Sequence, residues 1–183
     1  MTAANHPLSR VRDGLIMIEI VGNIFDLPAA PEGPVIVCIT TNGQTNSRRE
    51  AVMGRGVAKE AADRWPGIAR VLGERLRAPA AYNGGNHVHI IPTANLPVSA
   101  PWMLASFPTK DHWRDRFSSI DLIERSAHEL RLVVDLHFRS HPHARVALPR
   151  PGCKNGHLSW PNVRARLAPI LPEDRWLIVE RDP

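Results

Sequence analysis

Residues 35–62 read VIVCITTNGQTNSRREAVMGRGVAKEAA, and the rest of the chain is organised around this stretch. The β-branched run at 35–39 lies between a proline and an Asn-Gly pair, which is typical of a short buried strand. Residues 57–62 are good helix formers, and Gly54 and Gly56 come just before them. A strand, a glycine-rich turn and a helix start can bind phosphate, because the free N–H groups and the helix dipole attract an anion. The alternative is a tight turn whose glycines only satisfy backbone geometry.

The composition indicates a globular protein with an anionic partner. The 183 residues are 43% hydrophobic, which is enough to bury a core in one domain. The formal net charge of +5 favours a nucleotide or nucleic acid partner, although a basic protein without such a partner would look the same. Cys38 and Cys153 are too few and too far apart to predict a disulfide framework or a cysteine zinc site. The polar N-terminus and the lack of a long apolar run predict a cytoplasmic protein with no signal peptide and no membrane partner.

Strand-like and helix-like segments alternate over most of the chain, which predicts an α/β fold with a mixed sheet. Two of the strands, 87–91 and 102–107, are expected to form a hairpin, with His87 and His89 facing solvent. Residues 1–13 are expected to be a flexible arm, and residues 14–183 a single domain. The other expected strands are 15–21, 35–40, 146–148 and 175–180, and the expected helices are 57–65, 68–76, about 120–139 and 160–171.

Three loops follow predicted strands, at residues 41–56, 108–114 and 149–159. If these strands run parallel, all three loops meet at one edge of the sheet, where ligands bind in open α/β folds. Two of the loops carry glycines beside a helix start, and the third carries Lys110 with His112 close by. The residues therefore predict a cleft for a phosphorylated, nucleotide-like ligand with one candidate reactive amine.

Four motifs in this order resemble the macrodomains, the ADP-ribose-binding fold. Residues 22–24 (GNI) lie where the family has Gly-Asp-Ile, residues 53–58 (MGRGVA) resemble its MGxGIA loop, and residues 152–160 (GCKNGHLSW) resemble its second glycine-rich loop. Residues 107–114 (FPTKDHWR) are similar to the FPTKxHWR stretch of macrodomains that remove ADP-ribose from thymidine in DNA. The related terminal ADP-ribose protein glycohydrolases have a lysine at the matching place. The resemblance implies a three-layer α/β/α sandwich with a central mixed sheet.

The resemblance also implies an enzyme, an ADP-ribosyl glycohydrolase that acts on modified DNA bases with Lys110 as the catalytic residue. A neutral amine can attack the anomeric centre and form a Schiff base, which requires a lowered lysine pKa. A charged Lys110 that stabilises developing negative charge is the second option, and a surface lysine with no role is the third. The alternative functions are a reader that binds ADP-ribose without turnover, and a hydrolase of ADP-ribosylated protein or of ADP-ribose 1″-phosphate.

The partners implied by the resemblance are ADP-ribose and an ADP-ribosylated substrate, DNA rather than protein. The protein is expected to be a monomer that needs no cofactor and no metal. His137, His141 and His143 are interpreted as exposed histidines at a helix end rather than as metal ligands. The implied ligand-binding residues are Asn23, Ile24, Thr41, Asn42, Met53, Gly54, Gly56, Val57, Thr109, Gly152, Cys153, Lys154, Asn155, Gly156, His157 and Leu158.

The chain departs from the family pattern in three places. Asn23 replaces an aspartate that accepts a hydrogen bond from the adenine amino group; an amide oxygen can still accept that bond, without charge assistance. Gly156 matches an aspartate of the protein glycohydrolases, and residues 149–159 contain no carboxylate. This absence favours the DNA-type subgroup. The first loop is long and carries Arg48 and Arg49, which are candidates to reach a DNA phosphate.

Overall fold

The computed structural model of the protein describes residues 17–28, 35–91, 93, 96, 102–137 and 144–181. The expected arm at 1–13, the helix end near 139, His141, His143 and the side chain of His137 lie outside the described residues. The strands are β1 (Ile18–Val21), β2 (Ile36–Asn42), β3 (Ile90–Ile91), β4 (Met103–Lys110), β5 (Val146–Pro149) and β6 (Trp176–Glu180). The α-helices are α1 (Gly56–Arg64), α2 (Ile68–Arg77), α3 (Ile120–His137) and α4 (Trp160–Leu167), and short 3-10 helices lie at Ile24–Asp26 and Ala80–Tyr82.

The six strands form one mixed sheet in the order β1-β6-β5-β2-β4-β3. β3 pairs with β4 in antiparallel fashion, and every other neighbouring pair is parallel. Side chains of β2 alternate between two buried clusters: Ile36 and Cys38 pack with α3 and α4, whereas Val37 and Ile39 pack with α1 and α2. Helices therefore cover both faces of the sheet, and the predicted α/β/α sandwich with a mixed sheet is confirmed.

α3 is an amphipathic helix, as its sequence period predicts. Ile123, Ala127, Leu130 and Val134 are fully buried, and the side chain of Ser119 caps the helix by accepting a hydrogen bond from the Leu122 N–H at 3.1 Å. In the part of the chain that the structure describes, no helix combines the length and apolar character needed to cross a membrane.

The region around β3 differs from the sequence prediction. The strand covers only two residues, and His89 is buried rather than facing solvent. One reason is that side chains accept from two backbone N–H groups here: the His89 N–H donates to Ser106 Oγ at 2.9 Å, and the Val88 N–H donates to Glu129 Oε2 at 2.9 Å. Burial lowers the pKa of His89, although a hydrogen bond between its ring and the Gly85 carbonyl opposes this shift.

Candidate functional site

The loops that follow β2, β4 and β5 meet at one edge of the sheet, as predicted. They line a cleft of about 670 Å³. A second pocket of about 330 Å³ lies toward β1 and β6. Arg150 and Lys154 line both spaces, so the two pockets adjoin and share a positively charged boundary.

The first wall of the cleft is the start of α1. Among the described residues no side chain caps this helix, and its first turn has no acidic residue, so the first N–H groups can donate to an anion. Asn42 closes the preceding loop, because its Nδ2 donates to the Val52 carbonyl at 2.9 Å and its Oδ1 accepts from the Gln44 N–H at 3.0 Å. Gly56 has a φ of +60°, and a Cβ there would lie 3.1 Å from Asn155 Nδ2. A glycine therefore allows the first and second loops to approach each other.

The second wall is the loop between β5 and α4. It folds back on itself through hydrogen bonds from the Leu158 N–H to the Gly152 carbonyl at 3.0 Å and from the His157 N–H to the Lys154 carbonyl at 3.2 Å. At Gly156 there is no space for a side chain, because a Cβ would lie 2.5 Å from the Gly152 carbonyl oxygen and closer still to Ser118 Oγ. This loop therefore cannot carry a carboxylate at that position without moving.

The thiol of Cys153 is not an available nucleophile in this loop. Burial raises its pKa to about 11, so the thiol stays protonated at neutral pH. The contribution of Cys153 to a ligand site is then its backbone and its shape.

Lys110 is the last residue of β4, not part of a loop as the sequence suggested. Thr41 pairs with Pro108 and Asn42 pairs with Lys110, so Thr109 is an extra residue in the strand. Such a bulge changes the direction of the side chain that follows it. Lys110 Nζ donates to the Asp115 carbonyl at 2.7 Å and to the Asn155 carbonyl at 2.9 Å. The Lys110 amine is thus held in the cleft lining, where the loop between β5 and α4 meets the loop that follows β4.

The third loop, residues 111–118, is anchored at both ends and exposed in the middle. The Ser119 N–H donates to the Thr109 carbonyl at 3.0 Å, and the Ser118 N–H donates to the Gly156 carbonyl at 3.0 Å. Between these anchors lie two exposed aromatic rings, each with an arginine beside it. The guanidinium of Arg114 lies 4.7 Å from the Trp113 ring centroid, and that of Arg116 lies 5.1 Å from the Phe117 ring centroid.

The carboxylate of Glu19, on β1, binds two side chains that line the smaller pocket. Glu19 accepts hydrogen bonds from Arg150 at 2.9 Å, Trp160 Nε1 at 3.0 Å and Arg164 at 2.9 Å. Partial burial raises the pKa of Glu19, but the hydrogen bonds from Arg164, Trp160 and Arg150 outweigh it and hold the pKa below its usual value. Arg150 also lies 5.0 Å from the Trp160 ring centroid. These contacts fix the side chains of Arg150 and Trp160, which both line the pocket.

Comparison with known structures identifies the fold. The macrodomain of Thermus aquaticus DarG matches with a TM-score of 0.65 and 23% identity over 92% of this chain and 99% of that chain. The Mycobacterium tuberculosis DarG macrodomain matches with a TM-score of 0.66 and 24% identity over 93% and 99%. The chain has the macrodomain fold. Thermosipho africanus DarTG in complex with ADP-ribose has a TM-score of 0.63 and 18% identity over 92% of this chain and 42% of that chain.

Sequence comparison covers less of the chain. No protein-family model matches the chain. A DNA ADP-ribosyl glycohydrolase of Thermus aquaticus is 36% identical over 76 residues, which are 41% of this chain. The matched segment spans only 19% of the length of that relative.

The macrodomain cleft brings together most of the residues expected from the sequence. Met53 lines neither space; it is buried and belongs to the core cluster in which α1 and α2 pack on the sheet. Asn23, Ile24, Cys153 and Leu158 line the smaller pocket, and Lys154 lines both. The larger cleft is lined by Thr41, Asn42, Gly54, Gly56, Val57, Thr109, Lys110, Gly152, Asn155, Gly156 and His157.

Other lining residues were not expected from the sequence. Asp115, Arg116 and Ser118 follow the FPTKDHWR motif directly, so extending that motif would have found them. Arg181 lines the smaller pocket and has no local signal, because only the pairing of β6 with β1 brings it there. Arg48 and Arg49 are exposed in a turn and do not line either space; the side chain of Asn46 organises that turn by accepting from the Arg48 N–H at 2.9 Å.

Proposed function

We propose that this chain is an ADP-ribosyl glycohydrolase that removes ADP-ribose from modified DNA bases through Lys110. The observation that carries the proposal is the location of Lys110 Nζ, in the cleft lining between two loop carbonyls. A Thermus aquaticus relative named DNA ADP-ribosyl glycohydrolase and a structure of Thermosipho africanus DarTG that contains ADP-ribose support it.

The two adjoining pockets suit the parts of ADP-ribose in a definite order. The smaller pocket, with Trp160 and Leu158 in its lining, would take the adenine. The diphosphate would cross the boundary lined by Arg150 and Lys154, next to the uncapped start of α1. The distal ribose would then lie in the larger cleft against Lys110.

Two chemical roles are open to Lys110. A neutral Nζ would attack the anomeric carbon of the distal ribose, so that the bond from this carbon to the base breaks and the base takes up the proton that the amine loses. The ribose ring of this lysine adduct would then open to a Schiff base, and water would later release ADP-ribose from the lysine. A charged Nζ would instead stabilise negative charge that develops in the transition state. Reduction with borohydride during turnover separates the two, because only a Schiff base is trapped as a stable adduct on Lys110.

Two features favour a DNA substrate over a protein substrate. Gly156 leaves no room for the carboxylate that the protein glycohydrolases carry at the matching position. The third loop exposes Trp113 and Phe117, each with an arginine beside its ring. Exposed aromatic rings stack on unpaired bases and arginines pair with phosphates, which is the usual way to bind a single strand.

The direct test offers the protein three substrates. These are a single-stranded oligonucleotide with ADP-ribosylated thymidine, a protein with ADP-ribosylated side chains, and ADP-ribose 1″-phosphate. We expect release of ADP-ribose from the oligonucleotide at a much higher kcat/KM than from the other two. Turnover of the protein or of the phosphate alone would contradict the DNA assignment.

A reader function is the second candidate, because Asn23 replaces a carboxylate and the second loop offers none. Calorimetry with ADP-ribose, followed by product analysis on all three substrates, distinguishes the two functions. Binding of ADP-ribose without any product would favour the reader.

A further inference from the structure

We propose that Glu60 is a positioning residue of the smaller pocket, which fixes the Asn23 amide in the orientation that can accept a hydrogen bond from the bound base. This inference rests on the proposed function, since it takes the smaller pocket to hold the base of ADP-ribose. Glu60 lies on α1 and was not among the residues expected from the sequence.

Glu60 is located behind two residues that line this pocket. Its Oε1 accepts from Asn23 Nδ2 at 2.7 Å, and its Oε2 accepts from Arg181 Nη1 at 2.9 Å. Arg64, one turn further along α1, donates to the same carboxylate at 3.1 Å. The side chain of Glu60 is 19% exposed, so these contacts are largely shielded from water. One carboxylate therefore holds an amide and a guanidinium that come from opposite ends of the chain and both line the pocket.

The contact with Glu60 fixes which way the Asn23 amide faces. Asn23 Oδ1 accepts from the Phe25 N–H at 3.0 Å, while Nδ2 is committed to Glu60. A flipped amide would place donor against donor at Phe25 and acceptor against acceptor at Glu60, so both contacts exclude it. An amide oxygen has a second lone pair, and in this orientation it can accept one more hydrogen bond from a base. The pocket wall then favours an amino group, a donor, over the carbonyl oxygen of an otherwise equal purine.

The 2.7 Å distance between Asn23 Nδ2 and Glu60 Oε1 also explains why position 23 holds an asparagine rather than an aspartate. An aspartate at position 23 would replace the amide donor with a second carboxylate at about the spacing of the present hydrogen bond, so the attractive contact with Glu60 would become a repulsive one. Asn23 and Glu60 are thus a coupled pair, in which the negative charge lies on α1 instead of on the loop after β1. The pair predicts that reversing both residues preserves the contact, whereas changing Asn23 alone disrupts it.

The experiment is a double-mutant cycle read by calorimetry. Wild type, Asn23→Asp, Glu60→Gln and the double variant are titrated with ADP-ribose and with its hypoxanthine analogue, which has a carbonyl oxygen in place of the amino group. Asp63→Asn is the control, because Asp63 lies on the same helix, is exposed and pairs only with Lys59 among its salt-bridge partners in the described residues. Thermal unfolding is measured for every protein.

We expect wild type and the Asp63→Asn control to prefer ADP-ribose by about tenfold or more. Asn23→Asp should bind ADP-ribose about tenfold more weakly at pH 7.5, because its carboxylate cannot donate to Glu60 and is repelled by it. The double variant should bind like wild type, since its new amide on α1 can donate to its new carboxylate on the loop after β1. If Asn23→Asp does not fold, recovery of folding and binding in the double variant supports the pair.

Two results would overturn the inference. One is equal affinity of Asn23→Asp and the double variant at pH 7.5; the other is equal binding of both ligands by wild type. Both leave the proposed function intact as long as wild type binds ADP-ribose. Failure of wild type to bind either ligand would overturn the proposed function together with the inference.

Discussion

Substituting alanine for Gly156 tests the packing that supports the cleft. A Cβ at this position would lie 2.5 Å from the Gly152 carbonyl oxygen and 2.7 Å from Ser118 Cβ, so backbone must move. The movement would reach the Lys110 amine, because the neighbouring Asn155 carbonyl accepts a hydrogen bond from Lys110 Nζ at 2.9 Å. Gly156→Ala should therefore lower both stability and turnover.

The expected magnitude follows from two opposing effects. Overpacking of this kind costs roughly 1–3 kcal/mol, and contact with both a carbonyl and a side chain puts this site in the upper half of that range. The loss of a glycine stabilises the protein by about 0.4–1 kcal/mol, because the unfolded chain becomes less flexible. The net loss is about 2 kcal/mol, which corresponds to a fall in Tm of about 4–8 °C for a chain of this size.

Calorimetric unfolding of Gly156→Ala and of a matched control, Gly54→Ala, measures this effect. Gly54 is exposed in the first loop, and a Cβ there would have no neighbour within 4 Å. The control should therefore keep the wild-type Tm or raise it by up to about 4 °C. The reasoning is refuted if Gly156→Ala is as stable as Gly54→Ala.

Two further variants test the third loop and the region around β3. Arg114→Ala should weaken the binding of single-stranded oligonucleotides regardless of sequence, and the salt dependence of the binding constant should fall by about one phosphate contact. Arg70→Ala on α2 should change neither quantity. Equal salt slopes for wild type and Arg114→Ala in a fluorescence titration would contradict this. Burial lowers the pKa of His89, so just below pH 6.5 the folded state binds fewer protons than the unfolded state. The contribution of His89 to stability is therefore present above that pH and is lost as the pH falls. His89→Gln should therefore lose less stability than wild type between pH 7.5 and 5.5 in urea unfolding, and parallel losses would show that His89 is not the titrating group.

Much of the fold follows from local sequence patterns. Residues 36–39 of the apolar run are buried on both faces of the sheet, as their lack of polar side chains predicts. The buried stripe of α3 and the start of α1 at the glycine-rich turn also follow from the sequence alone. The meeting of three loops at one edge follows from the parallel order of strands that helices connect.

The remaining features depend on contacts between distant segments. The bulge at Thr109 is set by the register of β4 against β2, which neither strand specifies alone. Arg181 reaches the smaller pocket only because β6 pairs with β1. The burial of His89 depends on Glu129 and Ser106, which lie on other elements. Sequence motifs therefore predict where the cleft lies. The residues that form its outer walls and support them are seen only in the structure.

The central claim is that Lys110 carries the chemistry, and a single-turnover assay tests it most directly. Wild type, Lys110→Ala and Lys154→Ala are mixed in excess with an oligonucleotide containing ADP-ribosylated thymidine, and release of ADP-ribose is followed. Lys154 is the matched control, because it lines both pockets but would contact only the diphosphate. At saturation we expect Lys154→Ala to retain the wild-type rate and folded Lys110→Ala to be slower by about a hundredfold or more. Equal rates for wild type and Lys110→Ala would contradict the account.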